Sequence, residues 1–233
     1  MDFLEPKPEW IDDIRNAYKN EIPGMEFETH QGITNQILST FQDAVDEGDE
    51  NNLHRVIVGH PSLLACALSN TGHHGIWYRS KPQIGLKTFD DQEGHIPDFL
   101  LAARNSNGLS WHVVELKRSD AKVTNVDATG LSTDANHGVT QLMRYLRYME
   151  EHQGTLRDTL KIQGFQTPQQ GLLIIGTEEE TELDEKKKRL KSTWNKYLNN
   201  IELTSYSRIL RKAQDQLGST HTILSMAKTI KGG

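Results

Sequence analysis

The sequence predicts an α/β fold in which helices pack on a mixed β-sheet. Up to about residue 69, apolar residues recur at three- and four-residue spacing, which is typical of amphipathic helices. After that point, short apolar runs alternate with turn-rich pieces, which is typical of strands. A helix and one more apolar run then follow. This order of helix, three strands, helix and strand favours a sandwich of helices and sheet.

The N-terminal part is predicted to be helical. Residues 9–20 and 33–47 each place their apolar side chains along one side of a helix. The sequence GDENN at 48–52 interrupts the second pattern with residues that are typical of helix caps. Leu53 and Ile57 then share one face of a third helix. We therefore expect a short helical extension before the sheet.

Three strands are predicted in the middle of the chain, and they are separated by the turn sequences DDQEG and SNG. Strands joined by such short connections pair as an antiparallel meander. After the third strand, residues 120–138 lack periodicity, and long loops of this kind are often functional. The predicted strands are residues 75–89, 95–105 and 111–119.

The second half of the chain begins with its clearest helix, at residues 138–152. The unbroken apolar run at 169–177 is expected of a strand that is buried on both faces. The apolar stripe of the helix is predicted to contain Val139, Leu142, Met143, Leu146 and Met149. The remaining predicted elements are a charged helix at 181–199, a strand at 201–206 and a helix at 207–217.

Composition limits the classes of protein that need to be considered. The formal net charge is −6, so there is no chain-wide basic field and any anion-binding site must be local. The single cysteine, Cys66, excludes an internal disulfide and fits a reducing cytosol. No apolar run approaches the roughly 20 residues that span a bilayer, and the N-terminus lacks the pattern of a signal peptide. A cytoplasmic protein without a membrane partner is expected.

Charged side chains end a strand that otherwise has the pattern of a buried one. In WHVVELKRS, Glu115 and Lys117 are two residues apart and therefore share one face of the strand. In the preceding strand, Asp98 lies between Pro97 and an apolar run. Buried charges cost several kcal/mol unless they are paired or bind a metal. The two carboxylates are therefore expected to meet at one end of the sheet.

Two carboxylates that converge repel each other, and a divalent cation removes this repulsion. Mg²⁺ takes one or two carboxylates and uses its remaining positions for water and phosphate oxygens. The ion polarises a phosphodiester and activates a water, and a neighbouring lysine offsets charge in the transition state. The chain contains other D/E-x-K tripeptides, but they lie in polar segments. An ordinary ion pair of Lys117 with Glu115 or Asp98 is the alternative.

The same residues carry a resemblance to known nucleases. PDFLL followed by WHVVELKRS resembles the PD-(D/E)xK nuclease superfamily, with Pro97-Asp98 and Glu115-x-Lys117 matching its motif. ENNLHRVIVGHPSLL is similar to the helix and turn that open the Shedu nuclease domain. GVTQLMRYLRYMEE resembles that family's helix with its Gln-x-x-x-Tyr pair. The resemblance covers about residues 50–210.

The resemblance implies a restriction-endonuclease-like, three-layer α/β/α core with a mixed sheet, preceded by the short helical extension. It also implies an effector of bacterial anti-phage defence that cuts or nicks double-stranded DNA with Mg²⁺ or Mn²⁺ and tends to form homo-oligomers. The predicted parts of the chain are an N-terminal extension at 1–48, a PD-(D/E)xK nuclease domain at 49–218 and a C-terminal tail at 219–233.

Carried over residue by residue, the resemblance makes Asp98 and Glu115 the metal ligands and Lys117 the catalytic amine. Gln141 and Tyr145 become the helix pair that faces the site, because positions four apart lie on one helical face. Glu47 and Glu50 are both candidates for the first-helix acid that some superfamily members use, and the sequence does not decide between them.

Basic residues around the motif are candidates for DNA binding. Phosphate contacts of this kind give sequence-independent and salt-sensitive affinity, and no base-reading element is recognised in the sequence. The run EKKKRLK at 185–191 is flanked by acidic residues, which favours a solvated helix, and contact with DNA or a partner subunit is the alternative. The DNA-binding candidates are Arg79, Lys81, Arg118, Lys122 and Arg144.

Two other functions remain open from the sequence. One is a repair, resolvase or transposition nuclease on the same fold, which a preference for branched DNA would reveal. The other is a catalytically idle member that serves as a DNA-binding or oligomerisation module. An intact set of two acids and a lysine argues against the idle member, because buried charges are costly to retain.

Overall fold

The computed structural model describes residues 9–68, 75–85, 96–106, 108–179 and 183–231, the last thirteen of these by their backbone alone. Its centre is a six-stranded mixed sheet in which the strands follow one another in chain order. The first four strands pair with one another in antiparallel orientation, and the last two run parallel to the fourth. The strands are β1 (Glu26–Glu28), β2 (Ile76–Ser80), β3 (Phe99–Asn105), β4 (Gly108–Leu116), β5 (Gln170–Ile174) and β6 (Ile201–Thr204).

Helices precede the sheet and connect its parallel strands. Side-chain caps fix where two of them begin: Asp49 accepts a hydrogen bond from the Asn52 N–H, and Ser132 accepts one from the Ala135 N–H. The helices are α1 (Glu9–Tyr18), α2 (Asn35–Glu47), α3 (Glu50–Gly59), α4 (Ser62–Ala67), α5 (Thr133–Glu151), α6 (Gln153–Leu160), α7 (Glu185–Tyr197) and α8 (Tyr206–Lys231).

The two faces of the sheet enter separate cores. Phe99 and Val114 belong to the core that the sheet forms with α2, α3, α4 and α8. Leu100 and Val113 belong to the core formed with α5 and α6. Successive strand residues point to opposite faces, so this alternation creates three layers, with the sheet between two layers of helices. The predicted α/β fold with a mixed sheet is confirmed.

Close packing sets α5 against the end of β4. A Cβ atom added at Gly138 would lie 2.5 Å from Leu173 Cδ1, so glycine lets the helix lie directly on β5. Leu173 is in register with Glu115 of β4. Because α5 connects β4 to the parallel strand β5, its first turns lie at the end of the sheet where β4 stops. The predicted site lies at this end of the strands.

Several local predictions change in the structure. Met143 was expected in the apolar stripe of α5 but is 56% exposed, because the side of α5 that faces the sheet is centred on Leu142 and includes Tyr145 instead. The strand β1 and the helix α6 were not predicted. The strand expected at 75–89 ends at Ser80, and its residues 86–89 lie outside the described residues.

Elements outside the predicted nuclease domain pack on the sheet and its core. β1 pairs with β2, and α2 packs against α3 and α8, so residues before position 48 contribute to both sheet and core. The helix predicted at 207–217 continues as α8 to Lys231. The proposed boundaries at 48 and 218 remain predictions. Within the described part of the chain, no helix combines the length and apolarity required to cross a bilayer.

Candidate active site

Asp98 and Glu115 meet at one end of the β3–β4 pair. Phe99 pairs with Val114, so Asp98, one residue earlier, stands opposite Glu115, one residue later. Residues directly opposite each other in an antiparallel pair point to the same face. The Leu116 N–H donates a hydrogen bond to Asp98 Oδ2 at 2.8 Å, so the Asp98 side chain extends the pairing between the two strands. The sequence-predicted juxtaposition of these two acids is present.

Lys117 completes the cluster from the residue after β4. Its ammonium donates to Glu115 Oε1 at 2.9 Å, and the two side chains are 11% and 7% exposed. Its backbone N–H donates to the Ile174 carbonyl at 2.9 Å, which continues the parallel pairing of β4 with β5. The Tyr206 hydroxyl donates to the Lys117 carbonyl at 2.7 Å. Lys117 is therefore fixed by its backbone on two sides.

The electrostatics of the two acids reflect burial and mutual repulsion. The pKa of Glu115 is raised to about 7, mainly by burial and also by the charge of Asp98, while the Lys117 ammonium opposes the increase. Burial also raises the pKa of Asp98, while the hydrogen bond from Leu116 and the positive charges nearby oppose the increase. Shifts of this size with a specific charged partner are common at functional sites. Without a cation, Asp98 and Glu115 therefore hold their protons more tightly than ordinary carboxyl groups do.

Of the two first-helix candidates, Glu50 is the one beside the cluster. Burial raises the pKa of Glu50, and the charges of Lys117 and Asp98 act on it in opposite directions. Glu47 ends α2 as an exposed residue and accepts a hydrogen bond from Asn52. Asp134, in the first turn of α5, is another acid that acts on Glu50. Glu50 thus extends the group of acids on the side of α3.

Sequence reasoning missed His54, which supports Asp98 from α3. Its imidazole hydrogen-bonds the backbone of Asp98 and lies 3.2 Å from Ser80 Oγ. Burial lowers the pKa of His54, while the neighbouring Asp98 carboxylate raises it. His54 follows Glu50 by four residues, so both lie on one face of the helix. That spacing was the signal in the sequence that could have identified it.

Lys81 approaches the same segment from β2. Its backbone N–H donates to the Asp98 carbonyl at 2.8 Å, and its charge acts on both Asp98 and His54. Lys81 has a φ of 43°, in the left-handed region that a residue with a side chain rarely adopts. Such strain costs about 1–3 kcal/mol and often marks a functional segment. The left-handed backbone at Lys81 directs its N–H toward the Asp98 carbonyl.

Gln141 and Tyr145 lie on α5, and both have buried polar groups. Tyr145 is buried, and its hydroxyl donates to the Ile96 carbonyl at 3.4 Å, two residues before Asp98. Among the described residues, Gln141 Oε1 is one of the buried oxygens that accept no hydrogen bond. Tyr145 therefore holds the segment that precedes Asp98. Gln141 lies on the same side of α5 as Tyr145, and its Oε1 accepts no hydrogen bond.

The predicted DNA-binding residues differ in their surroundings. The Arg79 guanidinium is half-buried and donates to the Leu160 carbonyl, so it supports the fold. Arg118 makes a two-pronged ion pair with Asp120, and Lys122 lies 3.4 Å from Glu178 Oε1. Lys81 and Arg144 are exposed. Four of the five thus present cationic groups at the surface, and their contact with DNA remains a prediction.

Asp98 and Glu115 are the carboxylates available to a divalent cation at this site. Within the part of the chain that the structure describes, no three Asp, Glu, His or Cys side chains are grouped closely enough to enclose a metal. Mg²⁺, however, uses one or two carboxylates and fills its other positions with water and substrate oxygens. Asp98 and Glu115 are carboxylates of this kind, and their repulsion is what a cation relieves. The residues present fit such an ion.

Comparison with known proteins identifies the family. The model of the family described as Shedu protein SduA, C-terminal, matches residues 47–210, which is more than two thirds of the chain. No curated protein matches the chain. The matched region begins just before Glu50 and includes Asp98, Glu115 and Lys117. The chain therefore belongs to the Shedu SduA C-terminal family, a family of anti-phage defence nucleases.

Proposed function

We propose that this protein is a Mg²⁺- or Mn²⁺-dependent endodeoxyribonuclease that hydrolyses phosphodiester bonds in double-stranded DNA with little sequence preference. Its biological substrate would be foreign or phage DNA in the cytoplasm. The observation that carries the proposal is the meeting of Asp98, Glu115 and Lys117 at one end of the β3–β4 pair. Membership of the Shedu family supports the same function.

The acids supply the site for the cation. Asp98 and Glu115 would hold it, and Glu50 adds negative charge from α3. When bound, a divalent cation polarises the phosphodiester and lowers the pKa of the attacking water. Asp98 is already oriented, because its Oδ2 accepts the Leu116 N–H and its carbonyl accepts the Lys81 N–H. Such preorganisation limits the reorganisation that catalysis requires.

Lys117 would act on the developing charge. In the described state its ammonium is paired with Glu115. With Glu115 engaged as a ligand, the ammonium can donate to a non-bridging phosphate oxygen or orient the attacking water, which stabilises the negative charge of the transition state. Its backbone N–H donates to the Ile174 carbonyl and its carbonyl accepts from the Tyr206 hydroxyl, and these two bonds hold the position from which it acts. Gln141 could orient the water or the substrate through its amide.

DNA would be held by phosphate contacts around this end of the sheet. These are exposed residues directly after β2, in the loop after β4 and on α5, namely Lys81, Arg118, Lys122 and Arg144. Contacts of this type give affinity that does not depend on sequence and that falls steeply with salt. We also expect self-association, so that DNA is contacted by more than one subunit. Light scattering that shows a strict monomer would contradict this expectation.

A plasmid-nicking assay tests the proposal. The wild-type protein should convert supercoiled DNA to nicked or linear forms in Mg²⁺ or Mn²⁺ and not in EDTA. Lys117→Ala should abolish cleavage, whereas Lys19→Ala, the same change at an exposed lysine after α1, should cleave like wild type.

The possible results separate the proposed activity from its alternatives. Duplex binding without cleavage in any divalent cation would indicate an idle DNA-binding member. Cleavage confined to four-way junctions would indicate a resolvase. Cleavage by Lys117→Ala at the wild-type rate would exclude the proposed site.

A further inference from the structure

We propose that one face of α7 is a second contact surface for duplex DNA, apart from the acid–lysine cluster, and this inference rests on the proposed function. The face surrounds a surface depression of about 460 Å³. We call it the α7 basic face, and its residues are Lys188, Arg189, Ser192, Thr193, Lys196 and Tyr197.

Positive charge is concentrated on this helix, although acidic residues lie at its start and Glu185 pairs with Lys188 at 2.9 Å. The thirteen residues of α7 include six lysines or arginines and one acid, which gives the helix a formal charge of +5. The whole chain has a net charge of −6. A polyanion is therefore attracted to this helix although the protein as a whole repels it. The interaction would weaken with salt, because exposed charges are screened over about 8–10 Å at physiological ionic strength.

The side chains are those that contact DNA phosphates. Lysine, arginine, serine, threonine and tyrosine make most phosphate contacts, and these contacts carry no sequence information. Tyr197 is 69% exposed, and the Lys196 ammonium lies 5.1 Å from the centre of its ring. The exposed ring and hydroxyl can pack against a sugar–phosphate backbone. Tyr197 therefore adds an aromatic contact to the cations of this face.

The opposite side of α7 attaches the helix to the protein. Lys191 is the buried residue of α7, and its ammonium donates to the Glu178 carbonyl at 3.3 Å. Asn195 exchanges two hydrogen bonds with the backbone of Leu203 in β6. The helix is thus held by its inner side while the basic face points away from the sheet. A helix fixed in this way presents its cations in a constant arrangement.

The position of α7 relates its basic face to the proposed active site. β4 and β5 are parallel, so Lys117 after β4 and Ile175 after β5 lie at the same end of the sheet. The Lys186 ammonium donates to the Asp127 carbonyl, which lies in the loop between Lys117 and α5. From this end α7 extends for about 20 Å. A duplex that crosses the loop after leaving Lys117 would continue along the α7 basic face.

Charge reversal with a matched control tests the inference. The test variant is Arg189→Glu with Lys196→Glu, and the control is Lys19→Glu with Lys161→Glu, which changes the net charge equally at exposed lysines elsewhere. Binding of a fluorescent duplex is measured in EDTA over a series of salt concentrations. The test variant should bind at least about tenfold more weakly, and the slope of log K against log salt should fall by about two. The control should show neither change.

A second variant separates the aromatic contribution from charge. Tyr197→Ser leaves the cations in place and should weaken duplex binding about threefold or more, within the range that one lost polar or packing contact produces. Thermal unfolding should be unchanged in all these variants, because the substituted side chains are exposed. Wild-type affinity in the charge-reversal variant would overturn the proposal, whereas wild-type affinity in Tyr197→Ser alone would assign the contact to the cations without the ring.

Other outcomes distinguish this inference from the proposed function. If the wild-type protein and the charge-reversal variant bind and cut duplex equally well, the α7 proposal fails and the nuclease remains. If the wild-type protein neither binds nor cuts duplex, both fail together. If light scattering shows that the test variant loses an oligomer that the control keeps, the face is a contact between subunits and the DNA proposal is overturned.

Discussion

The imidazole of His54 stacks on the ring of Phe99, with the ring centroids 5.0 Å apart and the planes inclined by 20°. The same imidazole hydrogen-bonds the backbone of Asp98, the residue immediately before Phe99. His54 therefore holds the Asp98 segment by both a stacking contact and a polar contact. The helix α3 thus positions a proposed metal ligand, although none of its residues belongs to the D/E-x-K motif.

Substitution of His54 tests this positioning role. His54→Ala should lower the cleavage rate about ten- to a hundredfold, because small displacements of a catalytic group are costly. It should also lower stability by about 1–2 kcal/mol, since one hydrogen bond and a ring contact are lost. His54→Gln retains a donor and should recover part of the rate. The Mg²⁺ concentration for half-maximal cleavage should rise in the alanine variant.

A purely structural role for His54 would give a different result. Both variants would then lose stability, while the folded fraction would retain the wild-type rate and the wild-type Mg²⁺ requirement. Val58→Ala serves as the control, because it removes an exposed apolar side chain from the same helix.

The fold was predictable because burial of each helix and strand produces a recognisable pattern of apolar residues in the sequence. The unbroken apolar runs at 99–103 and 171–175 follow from burial of a sheet on two faces. β1 left no such pattern, because it has three residues and only Phe27 is buried. The stripe of α5 was misassigned at Met143, since periodicity gives a helical face only to within about one residue position.

The candidate site was partly predictable for a physical reason. Alternation along β4 placed Glu115 and Lys117 on one face, and the short SNG turn fixed Asp98 opposite Glu115. His54 and Tyr206 come from distant parts of the chain, and their contacts with Asp98 and Lys117 depend on tertiary packing. The spacing of Glu50 and His54 indicates a shared helical face, but it does not indicate which strand that face contacts. The strained φ of Lys81 was equally invisible, because lysine carries no signal for a left-handed backbone.

Tyr206→Phe tests whether the backbone of Lys117 must be fixed. The change removes the hydroxyl that donates to the Lys117 carbonyl at 2.7 Å and leaves the ring in contact with Phe41. Stability should fall by about 1 kcal/mol, which is the usual value of one buried hydrogen bond. The cleavage rate should fall about tenfold while duplex affinity is unchanged. Tyr18→Phe is a matched hydroxyl deletion on α1, and it should leave the rate unchanged.

The pKa of Glu115 predicts a stability that falls with pH in the absence of metal. Its pKa is about 7 in the folded protein, against an ordinary value of 4.5. Between these values the folded state holds a proton that the unfolded state has lost. The stabilisation is therefore complete below pH 4.5 and is lost as the pH rises to about 7. Denaturant unfolding in EDTA should show this decline.

Glu115→Gln should remove most of that decline. At pH 8 the variant should be more stable than wild type by roughly 1–2 kcal/mol, because a buried negative charge near Asp98 is eliminated. At pH 5 the two proteins should differ little. Glu47→Gln makes the same change at an exposed carboxylate and should follow the wild-type curve. Equal pH profiles for Glu115→Gln and wild type would contradict the assigned burial effect.

His112 predicts the opposite pH dependence on the other face of β4. Burial lowers its pKa from 6.5 to about 4, so the folded state disfavours the charged ring. Stability should be lost as the pH falls from about 6.5 towards 4, by up to about 3 kcal/mol. His112→Gln cannot titrate and should lose less stability over this interval. The measurement is the difference in unfolding free energy between the two proteins at pH 7 and pH 4.5.

Asp98 offers a way to separate charge from hydrogen bonding at the proposed metal site. Its Oδ2 accepts the Leu116 N–H, so Asp98→Ala leaves a backbone donor without its partner, whereas Asp98→Asn retains an oxygen acceptor. Both variants should lose cleavage, because neither supplies a carboxylate to a cation. Asp98→Ala should be less stable than Asp98→Asn by about 1–2 kcal/mol. Mg²⁺ or Mn²⁺ should raise the melting temperature of wild type and of neither variant. Cleavage at the wild-type rate by Asp98→Asn would show that the negative charge at this position is dispensable.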